Sequence, residues 1–130
     1  MAALDTNVVI RLLVGDDKVQ ARAAEALVAA EACAVSACVL MECEWVLRGA
    51  YGFDAPTIAA LLRGLLGLQN IDAQEPALAD AALAAFESGL DFADALHALQ
   101  AQPQRLVTFD KSLVRRAAKL GLDNVSLLAP

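Results

Sequence analysis

The sequence predicts an α/β fold in which a short, mostly parallel central sheet carries helices on both faces. Short apolar segments alternate along the chain with longer segments whose apolar residues recur at helical spacing. Several of the longer segments are preceded by Asp or Ser, residues that cap helices. This alternation is typical of a three-layer α/β/α sandwich, in which ligands bind beyond the carboxyl ends of the strands. The 130 residues contain no linker or repeat, so a single domain over residues 1–130 is expected.

Five short apolar segments are the predicted strands. In chain order they cover residues 2–5, 34–36, 70–72, 105–108 and 125–128. The fourth, which ends at Thr108, is expected to be fully buried. All five are short, so the predicted sheet is small.

Seven helices are predicted between these strands. Asp16 or Asp17 is suited to cap the second helix and Ser36 the third, while the fourth begins at Asp54 with a proline in its first turn. Gly121 is placed to end the last helix. In chain order the helices cover residues 8–14, 17–31, 36–47, 54–66, 75–89, 91–102 and 111–120.

Composition points to a protein of the cytoplasm with reduced thiols. Hydrophobic residues make up 58% of the chain, yet no apolar run approaches the roughly 18–20 residues of a membrane span. The N-terminus lacks the basic segment and apolar core of a signal peptide. Cys33, Cys38 and Cys43 are an odd set whose spacing fits neither a redox motif nor a zinc site, so we expect buried, reduced thiols.

The charge of the chain is acidic, with a formal net charge of −6 at pH 7. This argues against a general nucleic-acid coat, which would be basic. A local basic patch remains, formed by Arg115, Arg116 and Lys119 on the last predicted helix. It either contacts RNA phosphates or is a solvated face favoured near a helix C-terminus.

Aspartates occupy the positions where a parallel sheet places its chemistry. Asp5 follows the first predicted strand, Asp110 follows the fourth, and Asp91 and Asp94 begin the sixth helix. Each has a simpler alternative role, because Asp is among the best helix-capping residues. Asp91 with Asp94 three residues later also resembles a capping box.

Glu42 is harder to explain as a cap because it falls in the middle of the third helix. Its neighbours at helical spacing are apolar, namely Val39, Cys43 and Val46. A glutamate on such a stripe must be paired, neutralised or bound to a cation. The alternative to a metal is a salt bridge to Arg11 or Arg48. Glu44 falls off this stripe, so we expect it to face solvent.

Four segments resemble, in order, the motifs of the PIN domain family. They are residues 4–8 (LDTNV), 42–48 (ECEWVLR), 92–96 (FADAL) and 107–110 (VTFD). Their order, their spacing and the compact length are similar to the VapC toxins of bacterial toxin–antitoxin pairs. The resemblance covers nearly the whole chain, and it implies a PIN-like form of the predicted sandwich.

The resemblance implies a metal site that is also the catalytic site. By residue-to-residue match, its acids are Asp5, Glu42, Asp94 and Asp110, with possible support from Thr6, Asp91 and Thr108. Oxygen ligands suit Mg²⁺ or Mn²⁺ rather than zinc. Such an ion relieves the repulsion between the carboxylates and can activate a water for attack on the scissile phosphate. The expected function is therefore a metal-dependent endoribonuclease, a hydrolase acting on phosphodiester bonds.

The resemblance also implies partners. They are a structured RNA that is cut within the chain, a second copy in a homodimer, and a small antitoxin protein that occupies the active-site groove. A docking surface for the antitoxin could involve four residues that could equally belong to the core or to a dimer interface, namely Trp45, Leu47, Tyr51 and Phe53.

Three alternatives stay open at this point. A phosphatase of the haloacid-dehalogenase type normally needs a second aspartate where Asn7 stands. A receiver-like signalling module wants an acidic pair after the first strand, against which Thr6 counts. A degenerate PIN-like module that only binds RNA or protein is also open, although all four acids are present. His97, one turn beyond Asp94, is expected to be structural rather than a catalytic base.

Overall fold

The computed structural model describes residues 1–130, which form two compact units, Met1–Pro76 and Ala77–Pro130. Helices and short parallel strands make up both units, so the predicted α/β class is confirmed. The strands fall into one three-stranded and one two-stranded parallel sheet. A single domain over residues 1–130 stays a prediction.

The first unit contains three strands and four helices. In chain order they are β1 (Ala2–Ala3), α1 (Thr6–Leu13), α2 (Lys18–Ala30), β2 (Cys33–Val35), α3 (Ala37–Gly49), α4 (Ala55–Leu66) and β3 (Ile71–Ala73). The sheet has the order β1-β2-β3, with β2 in the centre and every pair parallel. Its core is built on fully buried aliphatic side chains, including Val9, Leu40, Leu47, Ile58 and Leu62.

Backbone pairing in this sheet positions the first candidate acid. The Leu4 amide donates to the Ala34 carbonyl at 2.9 Å, so the contact with β2 continues to the residue before Asp5. Asp5 therefore lies at the carboxyl end of β1. Ser36 directly follows β2 and caps α3 by accepting a hydrogen bond from the Val39 amide. The helix that carries Glu42 thus starts from the carboxyl end of the central strand.

The second unit contains two strands and three helices. They are α5 (Pro76–Glu87), which begins at the boundary between the units, α6 (Phe92–Ala101), β4 (Leu106–Thr108), α7 (Lys111–Lys119) and β5 (Val125–Leu127). Phe86 of α5 packs edge-to-face on Phe92 of α6, with ring centroids 5.4 Å apart. The Asn124 side chain donates to the Ala98 and Gln104 carbonyls and so ties the approach to β5 to the end of α6.

Local capping chemistry fixed most helix boundaries as predicted. Asp17, Ser36 and Asp54 cap α2, α3 and α4. The first helix begins at Thr6 instead of Val8, because Asp5 caps it. None of the helices is long and apolar enough to span a membrane.

Two predictions of burial were wrong, and the position of Leu47, which the sequence left open, is decided. The strand that ends at Thr108 is not fully buried, because Val107 is 44% exposed in a sheet of only two strands. Cys38 is exposed, whereas Cys33 and Cys43 are buried, and all three are free thiols. Leu47 is fully buried in the core, so it is excluded from any docking surface, while Trp45 beside it is 66% exposed.

Candidate metal centre

Asp5 and Glu42 line one cleft of the first unit, which has a volume of about 620 Å³. Asp5 has extended backbone and caps α1, its Oδ1 accepting a hydrogen bond from the Thr6 amide at 2.8 Å. Both carboxylates lie on exposed residues and are open to a ligand. A cap of this kind occupies one carboxylate oxygen, so capping and metal binding are compatible roles for Asp5.

Thr6 is the side chain that connects the two acids. Its hydroxyl donates a hydrogen bond to Glu42 Oε1, and the residue itself is only 9% exposed. The bond joins the start of α1 to the middle of α3. It holds one oxygen of Glu42 in a defined position within the cleft that Asp5 also lines.

The thiol next to Glu42 is not a candidate ligand. Burial, together with the negative charges of Glu42 and Asp5, raises the pKa of Cys43 to about 12. A thiol that stays protonated is neither a metal ligand nor a nucleophile. The carboxylates are therefore the reactive groups of this cleft.

The prediction that Glu44 faces solvent was wrong. Glu44 is 2% exposed, and its carboxylate pairs with Arg48 one turn later, with 2.7 Å between Oε2 and Nε. The stripe of α3 that enters the core runs through Leu40, Glu44 and Leu47. Arg48 is thus a partner of Glu44, and Arg11 pairs with Asp16.

The other two candidate acids lie in the second unit. Asp94 is partly buried, and its pKa is raised, first by burial and then by the negative charges of Asp91 and Asp110. The charge of His97 opposes this rise. The negative charges of Asp91 and Asp110 therefore both act on the Asp94 carboxyl.

Asp91 and Asp110 both act as helix caps. Asp91 Oδ2 accepts from the Asp94 amide at 3.1 Å, and Asp110 Oδ1 accepts from the Leu113 amide at 3.1 Å. Thr108 Oγ1 accepts from the Asp110 amide at 3.0 Å and so fixes the turn that presents Asp110 beyond the end of β4. Thr108 thereby orients Asp110 through its backbone.

The predicted basic patch lies on the same helix that Asp110 caps. Arg115, Arg116 and Lys119 are all exposed on α7. Arg116 and Lys119 fall in its last turn, where positive charge also favours the helix dipole. Contact with RNA and stabilisation of the helix end are thus both compatible with these positions.

The donor chemistry fits a hard divalent cation. The donors are carboxylate oxygens with hydroxyl groups beside them, which suits Mg²⁺ or Mn²⁺. The structure contains no group of three or more His, Cys, Asp or Glu side chains able to bind a metal ion. The predicted acids lie as two pairs, Asp5 with Glu42 in the first unit and Asp94 with Asp110 in the second.

Sequence reasoning missed three further residues of the cleft that holds Asp5 and Glu42. Arg11, Asp16 and Tyr51 line it together with the two acids. Arg11 Nη1 lies 3.1 Å from Asp16 Oδ1, and the Tyr51 hydroxyl donates to Asp16 Oδ2 at 2.7 Å. The one available signal was the position of Arg11, one helical turn after Asn7 on the same side of α1.

A family model described as PIN domain matches residues 2–120. The chain belongs to the PIN domain family. PIN domains are generally metal-dependent nucleases that act on RNA, typically with Mg²⁺ or Mn²⁺. No curated protein and no solved structure matches the chain. All the acids and threonines discussed above fall within the part of the chain that matches the PIN domain.

Proposed function

We propose that this PIN domain is a metal-dependent endoribonuclease and that it serves as the toxin of a toxin–antitoxin pair. One observation carries the nuclease proposal. Asp5 and Glu42 line a single open cleft, and the Thr6 hydroxyl holds Glu42 in place there. A carboxylate pair with a dedicated hydrogen-bond donor favours a ligand site over two unrelated surface acids. Membership of the PIN family favours a nuclease over a phosphatase of the haloacid-dehalogenase type.

The proposed ligands of the ion are Asp5, Glu42, Asp94 and Asp110. When bound, Mg²⁺ or Mn²⁺ supplies positive charge to the phosphate and lowers the pKa of water. Asp5 and Glu42 offer oxygens from one cleft, while Thr6 keeps one Glu42 oxygen oriented. Thr108 and the α7 cap fix Asp110, and the charges of Asp91 and Asp110 make Asp94 readier to accept a cation. No residue of the chain is needed as a covalent nucleophile.

The toxin role adds two protein partners to the proposal. The chain acts as a homodimer in the cytoplasm and is inhibited by an antitoxin that fills the active-site groove. Exposed Trp45 and partly exposed Tyr51 and Phe53 are the apolar side chains available for such contacts. The basic residues of α7, Arg115, Arg116 and Lys119, are the proposed contacts for RNA phosphates.

The test of the nuclease proposal is RNA cleavage with and without metal. The purified chain, treated with EDTA and dialysed, should leave a structured RNA intact and should cut it within the chain after Mg²⁺ or Mn²⁺ is added. The Asp5→Asn variant, prepared in the same way, controls for contaminating nucleases. Equal cleavage in EDTA would overturn the proposal. Metal-dependent RNA binding without any cleavage would favour the degenerate, binding-only PIN domain.

A second prediction concerns the support of Glu42. We expect Thr6→Val to slow cleavage by about tenfold, because it removes the hydroxyl that holds Glu42 while keeping the shape of the side chain. Thr6→Ser keeps the donor and should remain close to wild type. The measurement is the cleavage rate over a range of Mg²⁺ concentrations. A Thr6→Val enzyme as active as Thr6→Ser at every concentration would show that the hydrogen bond plays no part in catalysis.

A further inference from the structure

Three side chains from separate segments form a network in the cleft that contains Asp5 and Glu42. Arg11 belongs to α1, Asp16 to the turn before α2, and Tyr51 to the segment after α3. Arg11 Nη1 donates to Asp16 Oδ1 at 3.1 Å, and its Nε donates to Gln20 Oε1 at 2.8 Å. The Tyr51 hydroxyl holds the second Asp16 oxygen at 2.7 Å. These bonds fix the plane of the Arg11 guanidinium within the cleft.

The guanidinium keeps donors for a ligand. Its bonds to Asp16 and Gln20 use only part of the N–H groups that an arginine carries. The Arg11 side chain is 26% exposed, so the remaining donors are open to the solvent of the cleft. A planar guanidinium with paired N–H groups matches the oxygens of a phosphate, and its charge strengthens the hydrogen bonds. Arg11 is thus a cation held in position within a cleft whose other charged groups are carboxylates.

The position of Arg11 places its guanidinium in the same cleft as the two acids. It lies six residues after Asp5 on α1, and helical side chains tilt toward the N-terminus of their helix, which here is the end that carries Asp5. We infer that Arg11 binds a phosphate of the RNA strand that occupies the cleft of Asp5 and Glu42. This inference rests on the proposed ribonuclease function.

A purely structural role for the network leads to a different expectation. If Arg11 and Asp16 only tie α1 to the following turn, breaking the pair from either side should have the same effect. If Arg11 binds phosphate, Asp16 competes with the phosphate for the guanidinium. Removing the charge of Asp16 should then strengthen RNA binding, whereas removing the charge of Arg11 should weaken it. The opposite signs distinguish the two roles.

The experiment measures binding of a fluorescein-labelled RNA hairpin with a single-stranded loop, by anisotropy in Mg²⁺. The full chain carries Asp110→Asn in every sample, which prevents cleavage. We expect Arg11→Gln to raise Kd about tenfold, since it removes a charged hydrogen bond to phosphate. The slope of log Kd against log salt should fall by about 0.7, as one phosphate contact is lost. Asp16→Asn should lower Kd.

Two variants on α2 are matched controls for the change in charge. Arg22→Gln and Glu25→Gln lie on exposed positions outside the cleft and should leave both Kd and the salt slope close to the parent. Melting curves verify that each variant is folded. Arg11→Lys keeps the positive charge but loses the paired N–H donors of the guanidinium, so it should bind RNA with intermediate affinity. The inference is overturned if Arg11→Gln behaves like Arg22→Gln, or if Arg11→Gln and Asp16→Asn shift Kd in the same direction.

Failure of this inference is distinguishable from failure of the nuclease proposal. If the wild type shows metal-dependent cleavage but RNA binding does not depend on Arg11, only the inference about Arg11 is overturned. If RNA binding depends on Arg11 but the wild type does not cut RNA, only the nuclease proposal is overturned. A wild type that neither binds nor cuts the hairpin removes both.

Discussion

Replacing any one of the four acids by its amide should lower RNA cleavage by about a hundredfold or more while leaving the fold intact. The variants are Asp5→Asn, Glu42→Gln, Asp94→Asn and Asp110→Asn. Each removes one charged oxygen ligand but nearly keeps the shape of the side chain, so the loss falls on the charge that the reaction needs. The measurement is the initial rate of cleavage in saturating Mg²⁺, with melting curves for each variant.

Capping provides the control for this series. Asn caps helices about as well as Asp, whereas Ala costs about 1 kcal/mol. Asp110→Asn should therefore lose cleavage at wild-type stability, and Asp110→Ala should lose both. Asp54 caps α4 through the Thr57 amide and has no proposed role in catalysis. Asp54→Ala should lose stability and keep cleavage. Amide variants that cut RNA at the wild-type rate would show that these acids have no part in catalysis.

Arg48→Met should lower the free energy of unfolding by about 2 kcal/mol. It leaves the Glu44 carboxylate, whose side chain is 3% exposed, without the guanidinium that neutralises it. Breaking a buried ion pair costs about 3–5 kcal/mol, and the 55% exposure of the Arg48 side chain reduces this figure. Urea denaturation monitored by circular dichroism measures the change.

The double variant Arg48→Met/Glu44→Met is the matched control. It removes the charge together with its partner and fills the space with an apolar chain, so it should recover most of the lost stability. A double variant that is less stable than Arg48→Met would show that the cost arises from lost packing of the arginine stem. In either case cleavage should survive in the folded fraction, because Glu44 and Arg48 do not line the cleft of Asp5.

Glu44 is buried and Glu42 is exposed, which is the opposite of what helical periodicity predicted. Helix α3 is apolar on more than one side, so two stripes at helical spacing can be drawn along it. One passes through Val39, Glu42 and Val46, and the other through Leu40, Glu44 and Leu47. Periodicity does not say which stripe enters the core, because that depends on how α3 packs against α1 and α4. Glu42 was identified by its PIN motif, and the supporting argument from burial was wrong.

Features set by neighbouring residues in the chain were predictable. Asp17, Ser36, Asp54 and Asp91 cap helices as expected, because a cap depends on bonds to amides only a few residues away. The Arg11 network joins segments that are far apart in sequence, since Tyr51 bonds to a carboxylate 35 residues before it. No local pattern encodes such a contact, so it emerges only from the folded chain.

Mn²⁺ binding tests the central claim, that the four proposed acids hold the catalytic ion, most directly. The electron paramagnetic resonance signal of free Mn²⁺ reports binding without any RNA. Asp5→Asn and Asp94→Asn represent the two units, and Asp54→Asn is the matched control. We predict that Asp5→Asn and Asp94→Asn each weaken Mn²⁺ binding by about tenfold or more, while Asp54→Asn binds like the wild type. Wild-type affinity for Mn²⁺ in either Asp5→Asn or Asp94→Asn would contradict the claim.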